Sequence, residues 1–258
     1  MPETASGFRP AALVTGGAQR IGRAIALALV QRGYAVALHA RRSRAEADRL
    51  VAEIAAAGGR AATVVADLAD HAEVLQLVPA AVRAVGPLTL LVNNAAEFEP
   101  DEIGHLDRDR FDRHFAVNLR APIFLAEAFA AQLAAGAGGA IVNLLDQRVL
   151  KLTPRFLSYG LAKSALHVAT TMLAQALAPR IRVNAVAPGP TLPSPRQDAQ
   201  SFARQVGTLP LDHGPSPQEI ADAVIYLGSA ASVTGMTIAV DGGQHLAWRS
   251  AADAELEE

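Results

Sequence analysis

Tyr159 and Lys163 stand four residues apart at the start of a run with helical periodicity, so they share one helix face. An ammonium near a phenol stabilises the phenolate and lowers the tyrosine pKa, which makes Tyr159 a usable proton donor near neutral pH. The choice of lysine is informative: the chain carries 23 Lys+Arg, yet lysine occurs only at positions 151 and 163. A compact ammonium does something at 163 that a guanidinium fork cannot. A second group of residues suits a phosphate. Thr15-Gly16-Gly17-Ala18-Gln19-Arg20-Ile21-Gly22 joins a strand to a helix, where backbone N–H groups and the helix dipole can hold a pyrophosphate. Arg20 opposes the dipole in the first turn, which makes sense beside a bound anion; the plainer alternative is that it points into water. A third group, His39-Ala40-Arg41-Arg42-Ser43, closes the second strand, with no acid until Glu46. In dinucleotide folds an acid here binds the ribose of NAD, whereas arginine accommodates the 2′-phosphate of NADP. Two guanidinium groups and a hydroxyl favour NADPH over NADH, with His39 assisting at the phosphate. Asp67-Leu68 follows the third strand, where the acid either contacts adenine or caps the helix beginning near Asp70.

The elements that must position these groups alternate. Strand patterns cover Ala11-Thr15, Ala35-Ala40, Ala62-Ala66, Leu88-Asn93, Ala140-Leu145, Arg182-Ala187 and Thr237-Val240. Most are continuously apolar, as parallel strands buried on both faces require. Helical stripes lie between them: Ile21, Ile25, Ala28 and Leu29, then Leu50, Ile54 and Ala57. Asp107 to Ala135 reads as two helices or one kinked near Pro122, and Leu161 to Ala178 as one helix. The pattern predicts an α/β chain: a single Rossmann-type, doubly wound domain over residues 10–248, with a seven-stranded parallel sheet flanked by helices. The Pro-rich stretch at about 189–217, with a short helix near Gln200-Val206, reads as a substrate loop. Residues 1–9 and 249–258 read as flexible polar ends.

Composition narrows the function. With 25 Asp+Glu the formal net charge is −2, against the many cationic contacts that nucleic-acid binding needs. Zero cysteines exclude a disulfide framework, a zinc-thiolate site and a cysteine nucleophile. The seven histidines lack metal-ligand spacing, so no metal is expected. Neither a signal peptide nor a membrane span is legible, and the expectation is a soluble, cytoplasmic protein acting on a small molecule.

In order along the chain, Thr15-Gly16 to Gly22, Asp67, Asn93-Asn94-Ala95, Asn118, Tyr159-x-x-x-Lys163, Pro188-Gly189 and Asp241-Gly242-Gly243 resemble the short-chain dehydrogenase/reductase family from about Ala11 to Gly243. The resemblance implies that Tyr159 is the proton donor. It implies that Lys163 tunes Tyr159 and holds the nicotinamide ribose, and that Asn118 anchors a water relay behind it. Asn93 and Ala95 are implied to line the cofactor together with Gly16, Arg20 and Ile21, and Pro188, Gly189 and Thr191 to border the nicotinamide. A homo-oligomer, usually a tetramer, is implied as well.

Two departures stand out. Thirteen residues before the tyrosine most members carry Ser, and here the residue is Asp146; Arg20 stands where most carry Gly. Both are similar to the pteridine-reductase branch, including bacterial dihydromonapterin reductases. So are His39 to Ser43, the aromatic Phe98 and Asp241-Gly242-Gly243-Gln244-His245-Leu246. That resemblance implies a pterin stacked between Phe98 and the nicotinamide, Arg20 near both cofactor phosphate and pterin, and Asp146 and Tyr159 at the ring edge. A carboxyl accepts from N–H groups and, when protonated, donates. A general carbonyl or 3-oxoacyl reductase is the first alternative. A non-catalytic NADP(H)-binding regulatory protein is the second.

Overall fold

The structure, a computed structural model, describes residues 10–247. The expectations for residues 1–9 and 249–258 lie outside them. Seven parallel strands form one sheet in the order β3-β2-β1-β4-β5-β6-β7. These are β1 (Ala11–Val14), β2 (Ala35–Ala40), β3 (Arg60–Val65), β4 (Leu88–Asn93), β5 (Gly139–Leu144), β6 (Ile181–Pro188) and β7 (Thr237–Val240). The strands of the sheet centre are buried on both faces, which is why their sequences read as continuous apolar runs. Side chains alternate between two cores: Leu13 joins the one packed under α3 (His71–Val85) and α5 (Ala121–Gln132), Val14 the one under α1 (Arg20–Gln31) and α8 (Pro217–Ser229). Helix α2 (Arg44–Ala56) adds Leu50 and Ile54 to the second core.

The chain leaves β1 to build outward through β2 and β3, then returns to β4 on the other side of β1. A crevice opens at such a reversal, along the carboxyl ends of the strands. The residues singled out above follow the ends of β1, β2, β3, β4, β5 and β6, so the topology brings them to one edge.

Two helical boundaries matter for the site. Asp107 to Ala135 is neither two separate helices nor a simple kink. Helix α4 (Arg108–Phe115) runs through a five-residue π-helical stretch, Ala116–Arg120, into α5. Pro122 sits at the start of α5, directly after the π-helical stretch, and lacks the N–H that would donate to that turn. Helix α6 (Leu157–Leu177) begins four residues before the predicted Leu161, so Tyr159 lies in its first turn. The early start depends on polar anchoring invisible to apolar periodicity: the Ser158 N–H and hydroxyl both donate to buried Asp101. The expected short helix in the 189–217 loop is α7 (Ala199–Val206), capped by Asp198.

Candidate active site

The turn after β1 is held from three sides. Thr15 Oγ1 accepts from the N–H groups of Asn94 (2.9 Å) and Ala95 (3.0 Å), while Asn94 Nδ2 donates back to Thr15 O (2.8 Å) and Gly16 O (3.1 Å). The N–H of Gly16 donates to His39 Nδ1 at 3.1 Å, and His39 Nε2 donates to Ala66 O at 2.9 Å. Burial lowers the His39 pKa, in keeping with a neutral ring whose two nitrogens play opposite roles. At Gly22 a Cβ would lie 2.0 Å from Gly16 O, so only glycine lets the turn close onto α1. Gln19 supplies no side-chain cap to α1. The first-turn N–H groups are therefore left for a ligand, the arrangement that binds phosphate at helix N-termini. Arg20, the first residue of α1, has φ 51°, a left-handed conformation that costs a non-glycine residue about 1 kcal/mol or more.

Around this turn lies a cavity of about 500 Å³ lined by Gly16, Arg20, His39, Arg41, Arg42, Ser43, Asp67 and Leu68 among others. Its far wall carries an interleaved charge cluster. Arg41 Nη1 is 3.4 Å from Glu97 Oε2 and 4.0 Å from Asp67 Oδ1. Arg113 reaches Glu97 Oε1 at 3.0 Å through Nε and Asp67 Oδ1 at 3.1 Å through Nη2.

A second cavity, about 560 Å³, shares Arg20, Ile21, Asn94 and Ala96 with the first and continues past β5 and β6. Tyr159 is buried there, and its hydroxyl donates to Asp146 Oδ2 at 3.0 Å. Asp146 also accepts from the Arg148 N–H and guanidinium, both at 2.9 Å. Burial pushes the Tyr159 phenol well above its ordinary value, the Asp146 charge adds to that, and Arg148 opposes it. Lys163 is fully enclosed, donates to Leu144 O at 2.6 Å and lies 6.0 Å from the Tyr159 ring centroid. Desolvation lowers its pKa from 10.5 to about 8, so the ammonium is still charged at neutral pH. Phe98 stacks on Phe156 (4.4 Å, 5° between planes) and meets Tyr159 edge-on at 4.7 Å. Arg148 and Arg196 each lie 5.4 Å from the Phe98 ring centre.

Residues 16–245 match the family described as enoyl-(acyl carrier protein) reductase. An oxidoreductase of Methylorubrum extorquens is 37% identical over 240 residues, covering 90% of this chain and 96% of the relative. L-xylulose reductase of Mesocricetus auratus is 37% identical over 90% of this chain and 95% of its own. The chain belongs to the short-chain dehydrogenase/reductase family. Among solved structures, the FolM alternative dihydrofolate reductase 1 from Brucella suis, crystallised in complex with NADP, is 51% identical. Its TM-score is 0.92, over 94% of this chain and 98% of that one.

Of the predicted site residues, all but Asn93 and Asn118 line one of the two cavities of this short-chain reductase. Asn93 instead faces the neighbouring strand and donates to Asn143 Oδ1 at 2.8 Å; Asn94, one residue on and therefore on the opposite face, holds the turn. The Asn118 side chain is committed to the Glu97 backbone, bonding its N–H and its C=O at 2.9 Å each. It fixes the loop after β4 and touches no group of the Tyr159 site with its amide. His39 lines the cavity but spends both nitrogens on backbone, so it shapes the turn and has no N–H free for a phosphate. Burial and the Asp146 charge push the Tyr159 phenol up, so the lowering expected of Lys163 does not set the net direction. Asp67 is not the helix cap, a role taken by Asp70, which accepts from Ala72 and Glu73. Phe98 does not present two open faces, because Phe156 covers one. Sequence reasoning named Asn94 within the Asn93-Asn94-Ala95 motif without giving it a role, and missed Glu97, Arg113, Arg148, Phe156 and Arg196. Arg148 had one local signal, its place two residues after Asp146. Among the described residues no cluster has metal-ligating geometry, and no helix is long and apolar enough to cross a membrane.

Proposed function

We propose that this chain is an NADPH-dependent reductase that delivers hydride to a C=N bond of a pterin or dihydropterin. The observation that carries the reading is the Tyr159–Asp146–Arg148 chain of hydrogen bonds facing an aromatic slot. The Brucella suis relative, named a dihydrofolate reductase and crystallised with NADP, supports it. NADPH, when bound, supplies the hydride. Gly16, Arg20 and Ile21 with the first turn of α1 bind its pyrophosphate, and Arg41, Arg42 and Ser43 its 2′-phosphate. Asp67 and Leu68 contact adenine. Ala95, Pro188, Gly189 and Thr191 border the nicotinamide, and Lys163 holds the attached ribose.

Every group that meets the Asp146 carboxylate is a donor, so Asp146 is an acceptor suited to the amino and N–H edge of a pterin. It keeps the Tyr159 phenol protonated. Tyr159 then gives its proton to the ring nitrogen, and the buried Lys163 ammonium offsets the charge left behind. Phe98 offers the pterin the face not covered by Phe156. Asn118 contributes by holding the Glu97 backbone. The loop of about 189–217 closes the slot, tied to the site by Arg20 donating to Leu192 O and Arg196 donating to Phe98 O. The single domain extends over 10–248. Exposed Leu161, Val168 and Met172 on α6 give copies of the chain a surface for homo-oligomerisation, a tetramer in this reading.

The test follows NADPH oxidation with dihydrobiopterin, dihydrofolate and a 3-oxoacyl thioester. Turnover is expected with a pterin and not with the thioester; a general carbonyl reductase gives the reverse, and a regulatory protein gives none. Asp146→Ser is expected to lower pterin turnover by about 100-fold, the scale of removing a positioned catalytic contact, while calorimetry still detects NADPH binding.

A further inference from the structure

We propose that Arg113, which lines neither cavity, sets the preference for a 2′-phosphorylated cofactor by neutralising the two acids beside Arg41. The inference rests on the reading of Arg41 and Arg42 as the 2′-phosphate site.

Asp67 and Glu97 both line the nucleotide cavity, and both face Arg41, which the reading assigns to the 2′-phosphate. Two carboxylates there repel a phosphate dianion and compete with it for Arg41. Glu97 cannot swing away with its backbone, because Asn118 clamps its N–H and C=O. Arg113 answers both charges from behind. Its Nε donates to Glu97 Oε1 at 3.0 Å, and its two terminal nitrogens reach both Asp67 oxygens at 3.1 to 3.4 Å. The better bonds of the cluster all belong to Arg113. Arg41 holds Glu97 only at 3.4 Å and Asp67 at 4.0 Å, so it is the guanidinium free to turn to a new anion. With Arg113 the four side chains sum to zero charge; without it they carry one net negative charge, with Arg41 drawn between two carboxylates. All four are only partly exposed, so solvent screens the effect incompletely. Arg113 is a positioning residue: it acts on the phosphate through Asp67, Glu97 and Arg41.

The test is calorimetric binding of 2′,5′-ADP and 5′-AMP to the full chain, which reads the adenosine end without turnover. Wild type is expected to prefer 2′,5′-ADP. In Arg113→Met that ligand is expected to weaken by about tenfold, the scale of one charge-assisted contact at a half-screened site, and 5′-AMP by less than about twofold. Adding Glu97→Gln is expected to restore most of the loss, and Arg113→Lys to keep the preference. If wild type shows no preference, the 2′-phosphate site itself is refuted. If wild type prefers 2′,5′-ADP and Arg113→Met keeps that preference, or if Glu97→Gln restores nothing in a variant folded by circular dichroism, the role of Arg113 is refuted.

Discussion

Replacing Lys163 by Met should make the stability difference between variant and wild type depend on pH in one direction. Burial depresses the ammonium from 10.5 in the unfolded chain to about 8 in the fold. The unfolded chain therefore binds the extra proton more readily between those values, and wild-type stability rises with pH across that window. Below about pH 8 the penalty is fully present, and the depression converts to about 3 kcal/mol at pH 7. At pH 10 most of it is gone, leaving less than about 1 kcal/mol. Methionine carries no charge, so it escapes the penalty at every pH. It also strands the Leu144 carbonyl that Nζ bonds at 2.6 Å, a loss of about 1–3 kcal/mol that does not change with pH. Urea denaturation followed by circular dichroism at pH 7 and pH 10 separates the two effects. Other titrating groups cancel in the difference. The variant should lose about 2.5 kcal/mol of its standing relative to wild type between pH 7 and pH 10. A difference that stays constant across that range would refute the buried-ammonium account.

Other consequences are more direct. Gly22→Ala places a Cβ within 2.0 Å of Gly16 O, so NADPH binding should fall by at least about tenfold by calorimetry before the fold melts. Arg42→Ala should weaken NADPH far more than NADH, by about tenfold in their ratio; equal losses reject the 2′-phosphate assignment. Burial holds His39 and His114 below their ordinary 6.5, so the unfolded chain protonates first and stability should decline as pH falls from 6.5. Replacing both with Gln should flatten that decline in urea titrations. Phe156→Ala should uncover the second face of Phe98 and lower the KM for a pterin or leave it unchanged; a large rise in KM would mean that Phe156 itself forms the slot.

The sheet was legible because its strands are buried on both faces, which writes Ala, Val and Leu runs such as Ala35–Ala40 straight into the sequence. Strand ends mattered more, and there the sequence carried less. Asn93 and Asn94 are adjacent and chemically identical, and only the pleat decides which meets the turn. Asp146 and Tyr159 were paired by the family resemblance, and the structure joins them at 3.0 Å. No acid stands between His39 and Glu46, so Arg41 has no carboxylate beside it in sequence. Its actual neighbours arrive from Asp67 and Glu97, and Arg113 reaches Asp67 across 46 residues, a relation no local pattern encodes. Phe156 escaped notice because it precedes its helix in a left-handed conformation, with φ 58°, outside any apolar period. Helix spacing puts Lys163 on the face of Tyr159 but does not report how deeply both are buried or how the Asp146 charge acts on the phenol, and these set the net direction of its pKa.

The central claim is hydride delivery to a pterin C=N bond, and isotope transfer tests it most directly. NADPH deuterated at the transferring position of C4 is incubated with the chain and dihydrobiopterin, and the product is weighed by mass spectrometry. The account predicts a tetrahydropterin carrying one deuterium per molecule, formed about 100-fold more slowly by Asp146→Ser. Deuterium appearing in a 3-oxoacyl thioester product while the pterin is returned unchanged would contradict it.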